Sequence, residues 1–346
     1  MSTAQEQRTD VLIVGAGPIG LETAAAIRRE GQSCVNIDAG ALGSQIMRFP
    51  IGVRFFSSSE RIAIAGVPLE STLQEKASRE EYMAYLRSVV LQLDLDVRTY
   101  ETLVGVEGEH GAFLCTTQTS GGVQRRIQAA AIVLAVGGTA RSRRLGVPGE
   151  DLPHVRREIG EPHLYFQRNV LIVGGKNSAA ESALRIWRAH GNVTMSMRRD
   201  SIYQGIKYWI RPELESAFNN NQIRGEFSTS VQEILPDRVV LQRDSGETFQ
   251  VEVDDVLLQI GYEADSTCFQ MLGCELDPEQ GRVIHVESTM ETTVPGVYVA
   301  GTAVSGTQVR YKSYIENCHI HALRIAAHLS GKPAPEPMPL PELPEA

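Results

Sequence analysis

No stretch of this chain approaches the roughly 20 consecutive apolar residues that span a bilayer, and residues 1–10 lack the apolar core of a secretory signal. Positive charge is not in excess either. The 42 acidic residues outnumber the 33 basic ones and leave a net charge of −9, which sets aside nucleic acid and anionic membranes as partners. Cysteine is scarce and unpatterned. Cys34, Cys115, Cys268, Cys274 and Cys318 form no C-x-x-C, and an odd number without close pairing argues against a secreted disulfide framework. Cys34 and Cys115 fall in apolar runs where an inert buried thiol is expected. Cys268 and Cys274 are spaced for neither a metal site nor a redox pair. No metal centre is expected, and the chain is expected to be cytoplasmic. With 346 residues, 42% of them hydrophobic and 22% charged, it is long enough for two globular domains, each with its own core.

Glycine is present in a pattern. The apolar run Val11 to Val14 has the length of a buried parallel strand, and Gly15, Gly17 and Gly20 follow it as G-x-G-x-x-G. An alanine-rich helical stretch runs from there to Gly31, and a second apolar run, Cys34 to Ile37, ends in Asp38. Each glycine has a task. Gly15 makes a tight turn, Gly17 lets a pyrophosphate approach the backbone, and Gly20 lets helix and strand pack closely. Asp38 stands where it can accept a hydrogen bond from an adenosine ribose. The connection from Ala39 to Ser59 is long, and Phe55, Phe56, Ser57, Ser58 and Ser59 could wall a planar ring or simply plug the core. A helix is expected over 78–93, with Ser78 and Glu81 as a capping box. Strands are expected around 96–106, 112–118 and 125–136, the last running out through Ala135 to Gly137 and Gly138.

The opening pattern then repeats. Asn169 to Val173 is a second buried-strand run, followed by Gly174, Gly175, Lys176, Asn177, Ser178 and Ala179, a helix to His190, and a strand Val193 to Met197 ending in Arg198 and Arg199. Two whole βαβ units imply two nucleotide sites. An acid repels a 2′-phosphate and a guanidinium pair binds it. The first site is therefore expected to hold FAD and the second NADPH. Lys176 replaces the second glycine, which restricts the approach of the backbone but offers a point charge. Lys207, Tyr208, Trp209 and Arg211 add basic and aromatic character nearby. A third strand is expected at 255–261 and a fourth at 296–301, with a helix from about Tyr311 to Ser330 whose N-terminus could face a flavin. His319 and His321 on it are expected to be structural. The proline-rich end, 332–346, is expected to be disordered.

With these segments in place the chain resembles the thioredoxin-reductase group of flavoproteins and, more narrowly, the bacillithiol-disulfide reductases. The stretches that carry the likeness are Phe55 to Ser59, Gly174 to Ala179, Ile206 to Pro212, and Ile315-Glu316-Asn317. The resemblance implies an α/β fold of two Rossmann-like domains, the NADPH domain (146–258) inserted into a split FAD domain (1–145 and 259–331). It implies FAD held by Gly15, Gly17, Pro18, Ile19, Gly20, Asp38, Ala39, Gln45, Phe56, Ser57, Ala135, Gly137, Gly301 and Ile315. NADPH would be held by Gly174, Gly175, Lys176, Asn177, Ser178, Arg198, Arg199 and Lys207. The implied activity is hydride transfer from NADPH to flavin and on to a small thiol disulfide such as bacillithiol disulfide, in a homo-oligomer. Two positions depart from the pattern. Ile19 stands where that family usually carries a cysteine, and Thr302 stands where the wider group has an aspartate. Without a thiol at 19, turnover of bacillithiol disulfide is expected to be weak unless Cys318 substitutes. A ferredoxin- or flavodoxin-type acceptor is the alternative, and no F-x-G-x-x-x-H stretch supports a monooxygenase.

Overall fold

The computed structural model describes residues 6–71, 74–308 and 313–336. The chain forms two compact units. Of the described residues, one takes those up to Arg141 and those from Tyr262 to 336, and the other is Ser142–Gly261, where the sequence reading put the boundaries at 146 and 258.

In the first unit the strand Glu6–Val14 lies centrally. It pairs in parallel with Cys34–Asp38 on one side and Gln124–Leu134 on the other. Its last residues alternate toward neither face: Val11, Leu12 and Ile13 are all buried, as a strand covered on both faces requires. On its other edge the strand Gln124–Leu134 has two further partners. Its first half pairs antiparallel with Phe113–Thr119, and its last residues pair in parallel with Val297–Val299. Between the glycine turn and the second strand runs the helix Pro18–Arg29. It stops as a glycine-ended helix should: Gly31 has φ +84° and donates to Arg28 O, while Gln32 N–H reaches back to Ile27 O. Its buried Leu21, Ala24, Ala25 and Ile27 face the core, and it packs against the helix Ile315–Leu329. Three consecutive alanines allow that approach. Leu21→Ala would open a cavity worth about 2–5 kcal/mol.

The capping box of the helix Arg79–Gln92 is present. Glu81 N–H donates to Ser78 Oγ at 3.2 Å, and Ser78 N–H donates to Glu81 Oε2 at 2.6 Å. Two details differ from the sequence reading. The strand expected over 96–106 is two strands, Val97–Thr99 and Glu101–Glu107, because Tyr100 turns the chain at φ +57°. The connection from 39 to 59 is not all loop but holds the single helical turns Ser44–Met47 and Ser59–Ile62. The expected start of the last helix at Tyr311 and most of the expected disordered tail (337–346) lie outside the described residues.

The second unit repeats the arrangement. Five parallel strands run Arg224–Phe227, Asn192–Met197, Asn169–Val173, Asp255–Leu258 and Val155–Arg156 in spatial order. The helix Asn177–Arg188 connects the third of these to the second. An antiparallel sheet of Thr229–Ile234, Arg238–Arg243 and Thr248–Glu252 supplies Val231, Val239 and Leu241 to a core shared with Leu171 and Val256.

Candidate functional site

The first unit brings three parallel strand ends together, Val14 beside Leu134 and Leu134 beside Val299. Ligands of open α/β sheets bind outside such carboxyl ends. Gly15, with φ +110°, donates its N–H to Ile37 O at 2.7 Å. A Cβ on it would stand 2.3 Å from Ala135 O, and one on Gly20 would stand 2.0 Å from Gly15 O. Neither position tolerates a side chain. Gly17 is different. Its backbone is extended, at φ −81° and ψ 179°, and a Cβ there would meet nothing within 4 Å. Among the described residues no packing requires a glycine at 17. The open space at the start of the helix Pro18–Arg29 fits a phosphate brought against backbone N–H groups.

The Asp38 carboxylate is oriented for a ligand. Ala16 N–H donates to its Oδ2 and Gly40 N–H to its Oδ1, both at 2.8 Å, and Ser44 Oγ approaches Oδ1 at 3.4 Å. Behind it, Asn36 is buried and donates from Nδ2 to Gly15 O at 3.0 Å, holding the turn itself. The sequence reading missed Asn36. A lone amide inside an otherwise apolar strand, two residues before the acid, was the available signal.

On the neighbouring strand end, Gln45 donates to Val136 O at 2.6 Å and accepts from Thr139 Oγ1 at 2.8 Å. Gly137, at φ +74°, leaves that amide its room. Gly301 has φ +69°, and a Cβ there would stand 3.2 Å from Ile19 Cβ. Ile19 is thus a buried space-filler between the first helix and this turn. Gly301 N–H donates to Nδ1 of His321 at 3.2 Å. Burial, with His285, Arg324 and His319 nearby, pushes the His321 pKa down to about 4, so its ring is neutral and able to accept. Ala39 is exposed, and Phe56, Ser57 and Ile315 are partly exposed.

Cys318 needs correction as a candidate thiol. It is 1% exposed, and burial together with the Glu22 carboxylate pushes its pKa up to about 12. A thiol so held is neither a thiolate nor reachable. The others are no better. Burial raises Cys34 and Cys268 to about 11, Cys115 to about 12, and Cys274 in the same direction.

The second unit carries the same turn. Gly174, at φ +140°, donates to Ser196 O at 3.0 Å, and a Cβ on it would stand 2.3 Å from Gln259 O. Lys176 occupies the place of Gly17 with φ −104° and ψ −170°, extended backbone that any residue adopts. The lysine therefore leaves the path of the turn unchanged. Register corrects one sequence alignment. Gly174 bonds to the carbonyl of Ser196 as Gly15 does to that of Ile37, so the residue in the place of Asp38 is Met197, not Arg198. The Met197 side chain lies 3.0 Å from where a Gly175 Cβ would be. An apolar plug thus replaces the acid, and the exposed Arg198 and Arg199 come directly after it. Asn177 accepts from Lys207 N–H at 2.8 Å, and Ile206 and Ile210 are buried. These anchors hold the segment 203–211 at the N-terminus of the helix Asn177–Arg188. Ser178 is exposed on that helix's first turn. Both turns and their strand ends fit dinucleotides, and they differ in the residue after the bonded carbonyl, Asp38 in the first unit and Met197 in the second.

Residues 12–301 match the family described as Pyridine nucleotide-disulphide oxidoreductase. The chain belongs to that family. Bacilliredoxin reductase Bdr of Bacillus subtilis (strain 168) is 32% identical over 93% of this chain and 97% of its own length. A solved structure, Bacillithiol Disulfide Reductase Bdr (YpdA) from Bacillus cereus, has a TM-score of 0.89 at 31% identity, covering 94% of this chain and 99% of that one. A ferredoxin–NADP reductase of Ignicoccus hospitalis is 25% identical over 84% of this chain and 89% of its own length. The expected family and the α/β fold of two Rossmann-like domains are both borne out. This pyridine nucleotide-disulphide oxidoreductase is an enzyme that uses FAD and NADPH. Among the described residues no helix is long and apolar enough to cross a membrane.

Proposed function

We propose that this enzyme reduces a low-molecular-weight thiol disulfide of the bacillithiol type, the flavin handing electrons to the disulfide without a protein thiol between them. Likeness across nearly the whole chain to a reductase of that kind supports the acceptor class. The observation that carries the direct route is the state of the cysteines. Ile19 stands at the family position, and all five thiols have raised pKa values. With both cofactors bound, the balance is NADPH, a proton and one disulfide giving NADP⁺ and two thiols.

In this reading the Gly17 cradle and the first helix N-terminus take the FAD pyrophosphate, and Asp38 takes the ribose. Gln45 and Gly137 shape the neighbouring strand end, while neutral His321 fixes the Gly301 turn. Arg198 and Arg199 take the 2′-phosphate of NADPH beyond the Met197 plug. We place the enzyme in the cytoplasm as a homo-oligomer. The 25% identity to a ferredoxin–NADP reductase favours a second reading, a one-electron protein acceptor, which equally needs no thiol. Anaerobic reduction by NADPH, followed by mixing with bacillithiol disulfide, glutathione disulfide and ferredoxin in parallel, separates the two. Fast reoxidation by ferredoxin and by neither disulfide would overturn the first reading.

A further inference from the structure

In the second unit two cations from different chain segments meet one aromatic ring. Arg199, just past the strand Asn192–Met197, has its guanidinium carbon 4.8 Å from the centre of the Tyr203 ring. Lys176, from the glycine turn, has its Nζ 5.8 Å from the same centre. The ring is also fixed from below. A Cβ on Gly205 would stand 2.6–2.8 Å from Cε1, Cζ and the hydroxyl, so the ring folds back over a glycine that has no side chain to displace it. Directly after it, buried Ile206 and the Lys207 N–H bond to Asn177 anchor the backbone.

We propose that Tyr203 is a positioning residue for the 2′-phosphate of NADPH, its ring gathering Lys176 and Arg199 into one anion receptor. This deepens the reading of the second site and rests on it. Two like charges brought together repel, and ordering a lysine and an arginine costs side-chain entropy. The negative face of a neutral ring offsets that repulsion without competing as an anion would. A carboxylate in the same place would hold the cations equally well but would repel the phosphate. The ring also accounts for Lys176 in a position that is glycine in the first unit. The backbone there is extended in both, and the lysine side chain leaves toward Tyr203, adding a cation to the 2′-phosphate end.

The test uses adenosine 2′,5′-bisphosphate, which carries the 2′-phosphate without a nicotinamide, and adenosine 5′-monophosphate, which lacks it, in calorimetric titrations of the FAD-loaded enzyme. Cation–π contacts at exposed sites are each worth a factor of roughly 2–5. Tyr203→Leu should therefore weaken the bisphosphate about 5- to 20-fold and the monophosphate less than twofold. Tyr203→Phe, which keeps the ring, should bind the bisphosphate as the parent does. In turnover, Tyr203→Leu should raise the KM for NADPH by the same factor with kcat unchanged. Equal weakening of both nucleotides, no weakening of either, or a Tyr203→Phe variant as poor as Tyr203→Leu would overturn the proposal. Replacing both Arg198 and Arg199 by alanine in the same titration tests the underlying site. If that variant still favours the bisphosphate, the 2′-phosphate reading itself has failed, whatever Tyr203 does.

Discussion

Gly15 and Gly17 lie two residues apart, and the structure gives them opposite reasons to be glycine. Alanine at 15 would be forced to φ +110° with its Cβ 2.3 Å from Ala135 O. Backbone strain and overlap together should cost about 2–4 kcal/mol of folding stability. Alanine at 17 meets nothing within 4 Å in backbone that any residue adopts. The lower chain entropy of alanine favours folding by about 0.4–1 kcal/mol. Its poorer N-cap propensity opposes that by a similar amount. The FAD-stripped Gly17→Ala protein should accordingly unfold in urea within about 1 kcal/mol of the parent. FAD binding should suffer instead, because the added methyl occupies the space where the pyrophosphate meets the helix N-terminus. A loss of at least tenfold in affinity, about 1.4 kcal/mol, is expected in a titration that follows quenching of flavin fluorescence. An affinity within twofold of the parent, with stability unchanged, would refute the placement of the pyrophosphate at Gly17.

Charge-assisted hydrogen bonds contribute about 1.5–3 kcal/mol each. Removing Arg198 and Arg199 together should therefore lower the ratio of kcat/KM for NADPH over NADH by roughly two decades or more. Cys318→Ala should leave turnover of a small disulfide within about twofold, since a buried thiol near pKa 12 is no nucleophile. A tenfold loss with flavin reduction intact would restore the thiol. Of the three histidines on the last helix, His319 and His321 give opposite pH slopes. His321, depressed to about 4 by burial, gives stability that is full above the unfolded histidine value and is lost as pH falls from about 6.5 toward 4, roughly 3 kcal/mol in all. His319 bonds the Glu22 carboxylate at 2.6 Å and Arg61 O at 2.9 Å, and Glu22 raises its pKa against the opposing burial. Its contribution is full below the unfolded value and is lost as pH rises through the raised folded value. Thermal unfolding of Glu22→Gln across neutral pH should lose that alkaline slope. An unaltered slope would show that the pair is not ionic.

Much of the first site could be read from residue order because the turn, the helix start and the acid follow one another closely. Gly15, Gly20 and Asp38 are each explained by contacts within that unit, and the Ser78–Glu81 box is equally local. What needed the structure is side-chain packing. Asp38 lies eighteen residues past Gly20, and the same count from Ala179 reaches Met197, not Arg198, in agreement with the hydrogen bond from Gly174 to Ser196 O. The spacing is the same in both copies, so the arginine pair follows the counterpart of the acid rather than replacing it; that the Met197 side chain packs against Gly175 needed the structure. Tyr203 was missed for a related reason. Its meaning comes from Lys176, 27 positions away in sequence, and from a glycine two residues on whose missing side chain leaves room for the ring. Ile19 could be named from order, but its packing against Gly301 could not, because the two lie almost the whole chain apart.

The central claim is that electrons reach the acceptor from the flavin with no protein thiol between. The direct measurement is anaerobic stopped-flow on enzyme whose accessible thiols have been alkylated under native conditions, beside untreated enzyme. NADPH should bleach the flavin absorbance at the same rate in both samples. Bacillithiol disulfide should then restore it at the same rate in both, with two thiols released per flavin reoxidised. Restoration in the untreated enzyme alone would contradict the account.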